Sequence, residues 1–126
     1  MLKKALAVFL APLLLAGCTS TPTNLAPQQQ VRNPNNLYPV EVAFSSRQQS
    51  LRWESIQASV VVGTDSYPMR PTLLMTNRWE GLMPVPPGTK VVQYRYKFDF
   101  QYNAFGSPPR SDSALSPKQT LRILDQ

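Results

Sequence analysis

Residues 90–102 read Lys-Val-Val-Gln-Tyr-Arg-Tyr-Lys-Phe-Asp-Phe-Gln-Tyr, and this stretch decides the fold class. Val92, Tyr94, Tyr96, Phe98, Phe100 and Tyr102 fall on one side; Val91, Gln93, Arg95, Lys97, Asp99 and Gln101 fall on the other. A period of two held this long matches side chains alternating across a β-strand, whereas a helix would scatter them around its circumference. The aromatic face has two readings. It is either the inner wall of a β-sandwich or an exposed platform on which sugar rings stack. An exposed apolar patch of that size would invite aggregation, which favours the inner wall.

On both sides of this strand the chain keeps an extended character. Tyr38, Val40, Val42 and Phe44 alternate with Pro39, Glu41 and Ala43, predicting another half-buried strand. Leu51 to Val62 is rich in strand-forming residues and ends at the turn Gly63-Thr64-Asp65-Ser66. Tyr67 to Met75 carries Pro68 and Pro71, which cannot donate ladder hydrogen bonds, so it reads as an edge or bent strand. Arg78 to Val85 gives a shorter piece. Thr120 to Leu124 gives the last one, with Leu121 and Ile123 on one side. Six or so strands, frequent turns and 13 prolines predict an all-β, small antiparallel sandwich over residues 38–126. The turn Pro86-Pro87-Gly88 followed by a tyrosine-rich strand resembles the immunoglobulin-like sandwich modules that bind starch. That resemblance implies a carbohydrate-binding role as one alternative.

The beginning of the chain has a different character. Lys3 and Lys4 precede an apolar run of 12 residues from Ala5 to Ala16, followed by Gly17 and the only cysteine, Cys18. The run falls short of the ~20 residues needed to cross a bilayer as a helix. A charged start, a short apolar segment and small residues form a secretory signal. Leu15-Ala16-Gly17-Cys18 matches the lipobox, and the chain here resembles a bacterial lipoprotein precursor. The resemblance implies recognition of Leu15, Ala16 and Gly17 by the signal peptidase, cleavage before Cys18, and diacylglycerol on the Cys18 thiol. Thr19 in place of aspartate implies sorting to the inner leaflet of the outer membrane, facing the periplasm. Several acyl chains would hold such a protein essentially permanently. From Thr19 to about Leu37 the composition is polar and proline-rich without periodicity. Residues 18–37 therefore read as an acylated cysteine and a disordered tether, about 25 Å long on average.

Composition narrows the chemistry. Removing residues 1–17 from the 126 leaves 109; 13 Lys and Arg less Lys3 and Lys4 leaves 11 against 7 acids, a net +4. No basic run suits nucleic acid. Histidine is absent and the single cysteine is committed to lipid, which removes Ser-His and Cys-His catalysis and nearly all zinc sites. The seven acids are scattered singly, and only a meeting in space could pair two of them. The reading is a non-enzyme with no cofactor beyond the lipid. It binds the membrane through its anchor and another envelope protein as structural or assembly partner. Candidate contact residues are Trp79, in the string Arg78-Trp79-Glu80 that echoes Arg52-Trp53-Glu54, and Phe105, Arg110 and Asp112 in a long loop over residues 103–118. Trp79 is alternatively a core anchor. The loop is alternatively a packed connector.

Overall fold

The computed structural model describes residues 20–125. The strands are β1 (Ser20–Asn24), β2 (Gln29–Val31), β3 (Leu37–Ser46), β4 (Leu51–Val62), β5 (Asp65–Pro68), β6 (Arg70–Pro71), β7 (Arg78–Pro84), β8 (Val91–Ala104), β9 (Ser107–Leu115) and β10 (Gln119–Leu124). One sheet runs β1-β3-β7-β6. The other runs β2-β10-β8-β4-β5, with β9 also on β8. The first order corresponds to strands A-B-E-D of an immunoglobulin sandwich and the second, beyond β2, to G-F-C-C′. The pairing is antiparallel except between β2 and β10, which run parallel.

The alternating strand is β8, and its aromatic face is the inner wall. Tyr94, Tyr96, Phe98 and Phe100 are buried, as are Tyr38, Val40, Val42 and Phe44 facing them from β3. Phe44 stacks on Phe98 with ring centroids 4.4 Å apart, and Trp79 meets Phe98 edge-on at 5.3 Å. Offset stacks and edge contacts are the favoured aromatic geometries, so this knot joins the two sheets through specific packing as well as burial.

Two expectations are corrected. Residues 18–37 do not form a tether throughout, because β1 pairs with β3 from Ser20↔Ser46 to Asn24↔Val42, and β2 pairs with β10. The physical reason lies in Asn24. Its Oδ1 accepts hydrogen bonds from Ala26 N–H at 3.0 Å and from the Tyr96 hydroxyl at 2.6 Å. Pro22 is the one buried side chain of β1. Hydrogen bonding to an existing sheet edge thus orders a segment with too little apolar surface to fold alone. The domain accordingly starts by Ser20, ahead of the expected boundary at residue 38.

The stretch 103–118 is likewise not a loop. It is mostly β9, paired with β8 from Lys97↔Leu115 to Ala104↔Ser107. β9 and β10 share one edge of β8 and are separated by Ser116-Pro117-Lys118. Pro117 has no N–H to give, and Ser116 closes the gap. Its Oγ accepts the Tyr96 N–H at 2.9 Å, while its own N–H donates to Tyr96 O at 2.9 Å. The expected edge or bent strand at Tyr67–Met75 is two short edge strands with a crossing between the sheets. β5 edges one sheet and β6 the other, and Met69 packs so near Gly81 that a Cβ there would lie 3.1 Å from Met69 Cγ. Both prolines stand at strand ends on sheet edges, where missing donors cost least.

Candidate functional site

Leu15, Ala16, Gly17 and Cys18 lie outside the described residues. Trp79 is 5% exposed and edge-on to both Phe44, at 6.4 Å, and Phe98. It is a core anchor with no face for a ligand. The buried row on β8 likewise offers no stacking platform for sugar. Burial holds the Tyr94 and Tyr96 phenols above their ordinary pKa. The Tyr96 hydroxyl donates to Asn24 Oδ1, with Glu41 O a second acceptor at 3.2 Å. These groups stay neutral and structural.

Phe105, Arg110 and Asp112 all lie on the β8–β9 hairpin, with Asp112 five residues along β9 from its tip end at Ser107. Arg110 opposes Tyr102 and Asp112 opposes Phe100 in register, so the two side chains share a face. Both are exposed, and Asp112 Oδ1 accepts the N–H of Ser113 at 2.8 Å. Phe105 sits at the hairpin tip, fully exposed. Gly106, at φ 72°, makes the tight reversal that a Cβ would strain. The last β4 partner of β8 is Leu51, opposite Tyr102, so the tip reaches three residues, about 10 Å, beyond the sheet.

The hairpin shares its end of the sandwich with three other features. β1 begins there, because Ser20 opposes Ser46 at the end of β3. The β3–β4 turn with Arg47 lies there and touches the hairpin base, where Asn103 N–H donates to Ser50 O at 2.9 Å. The β6–β7 turn lies there as well, since Phe44 N–H donates to Asn77 O at 2.9 Å. That last turn holds Leu73 and Leu74, which are 85% and 97% exposed. Trp53, 43% exposed, reaches the same rim, where the β4 ladder is interrupted between Arg52 and Gln57. Leu73 and Leu74, expected within an extended segment, stand instead on the turn between β6 and β7. An apolar triplet between Pro71 and Asn77 was the available signal.

Elsewhere, an open groove of about 870 Å³ runs along β3 and β7, lined by Leu25, Pro27, Pro39, Met69 and Leu82. Arg70 and Glu80 pair at its side, 2.9 Å apart. Five of the seven acids meet cations: Glu41, Glu54, Glu80, Asp99 and Asp125 pair with Arg78, Arg52, Arg70, Lys97 and Arg32. Glu54 is lowered in pKa by its own backbone hydrogen bond and by Arg52, and Asp125 by its hydrogen bond from Arg32. Those shifts run opposite to what a general acid requires. Among the described residues, no three carboxylate, thiol or imidazole groups gather as a metal site would need. No family model matches the chain, and no curated protein matches it in sequence at a significant level.

Proposed function

We propose that this chain is a bacterial lipoprotein held by acylated Cys18 to the inner leaflet of the outer membrane, facing the periplasm. There it acts as a non-catalytic structural or assembly subunit that binds another envelope protein. The observation that carries the reading is the adjacency of Leu15-Ala16-Gly17-Cys18 to the first strand at Ser20. The proposed cut leaves only Cys18 and Thr19 ahead of folded structure. The ion-paired surface carboxylates and the lack of histidine support a binding role over a catalytic one. The groove beside Leu25, Pro39 and Leu82 gives an envelope partner an apolar surface flanked by charge.

Mass spectrometry of the mature amino-terminal peptide tests the anchor, with diacylglycerol on Cys18 as the expected result. A free thiol, or release of the protein by washing without detergent, refutes it. Crosslinking in intact envelopes tests the partner. Repeated recovery of the uncrosslinked chain alone refutes an assembly role.

A further inference from the structure

The large, nearly fully exposed apolar side chains concentrate at one end of the sandwich. Phe105 tops the β8–β9 hairpin, and Leu73 and Leu74 top the β6–β7 turn. The Leu pair carries a second oddity. Met75 N–H donates to Thr72 O at 3.1 Å, which closes a turn whose third residue is Leu74 at φ 65°. That position suits glycine or asparagine, and a bulky side chain there is strained. Leu74 is therefore both unfavourable for the backbone and unfavourable in water. Neither packing nor turn chemistry accounts for it, so the strain points to a role outside the folded chain.

We propose that this end docks onto the lipid bilayer, with Phe105, Leu73 and Leu74 entering the headgroup–acyl boundary. The inference rests on the anchor reading, and three observations choose a bilayer as the occupant. First, β1 enters the fold at this same end, through the Ser20↔Ser46 pair. Ser20 follows Cys18 by two positions, with Thr19 alone between them, a span of at most about 7 Å, so a lipid on Cys18 holds this end against the surface. Second, the charge there suits anionic headgroups. Arg47 and Arg110 have no ion-pair partner among the described residues; Glu54 is neutralised by Arg52, and the one unpaired acid on the hairpin, Asp112, stands further from the tip than Arg110, so the balance at this end stays positive. Third, the apolar side chains sit on two separate projecting turns rather than one flat patch. Shallow insertion of tips into a fluid surface fits that arrangement better than a close-packed protein interface does.

The test uses the full acylated chain reconstituted into vesicles of phosphatidylethanolamine and phosphatidylglycerol with brominated acyl chains, which quench nearby tryptophan. Phe105→Trp adds a reporter at the hairpin tip, and Thr64→Trp adds one at the opposite end, with the parent chain supplying the Trp53 and Trp79 background. The expected result is strong quenching of the emission added at position 105 and none of that added at position 64. Adding Leu74→Gly, which relieves the backbone, should reduce the quenching at position 105 severalfold without lowering the melting temperature. Vesicle-held protein whose added emission at position 105 is equal in brominated and ordinary lipid overturns the docking and leaves the anchor standing. Protein that stays in the aqueous fraction overturns the anchor and the docking together.

Discussion

Replacing Asn24 with alanine tests whether the amino-terminal segment belongs to the domain. The side chain makes four hydrogen bonds. It accepts from Tyr96 OH at 2.6 Å and from Ala26 N–H at 3.0 Å, and its Nδ2 donates to Ala26 O at 3.3 Å and Gln119 Oε1 at 3.4 Å. The last two are long and contribute little. Each of the first two contributes about 1 kcal/mol net. The Tyr96 hydroxyl keeps Glu41 O at 3.2 Å, which limits its loss. Asn24→Ala should therefore destabilise the domain by about 2 kcal/mol, lowering the melting temperature by roughly 8 °C at about 4 °C per kcal/mol. Urea unfolding followed by near-ultraviolet circular dichroism reads the change. In a double-mutant cycle with Tyr96→Phe the two losses should couple by about 1 kcal/mol, since both remove the same bond. A loss for Asn24→Ala within about 0.5 kcal/mol, the range of an uninvolved surface site, would refute the integration of β1 and restore a free tether.

Phe44→Ala removes the ring that stacks on Phe98 and meets Trp79, and should cost about 4 kcal/mol in chemical denaturation, while Phe105→Ala should change stability by less than about 0.5 kcal/mol. Equal losses would contradict the assignment of one ring to the core and the other to solvent. The buried phenols predict alkaline sensitivity. Below their ordinary pKa of 10.0 both states are neutral and stability is whole; above it the unfolded chain gives up protons that Tyr94 and Tyr96 retain, so stability falls as pH rises. Tyrosinate absorbance for these two residues should appear only together with loss of near-ultraviolet dichroism. Ionisation of Tyr94 and Tyr96 near 10 with the fold intact would contradict their burial.

The strands and their buried faces were legible because alternation is a local property. Val92 to Phe100, Val40 to Phe44, and Leu121 with Ile123 each carry their inward direction in their own spacing, and each is buried as that spacing requires. Trp79 was ambiguous because a tryptophan followed by glutamate reads the same at a rim as in a core. Only the position of Phe98 opposite decided it.

The sequence alone settled that the chain has no histidine and no two acids close together along it. It also settled that the segments of alternating apolar residues would be sheet. Tertiary structure alone decided that Ser20–Asn24, Gln29–Val31 and Ser107–Leu115 are strands. Their side chains are polar and mostly exposed, so their order comes from backbone bonds to edges supplied by residues far along the chain, which no local pattern records. The same long-range pairing gathers Ser20, Arg47, Leu74 and Phe105 at one end, a neighbourhood set by the direction in which each strand runs.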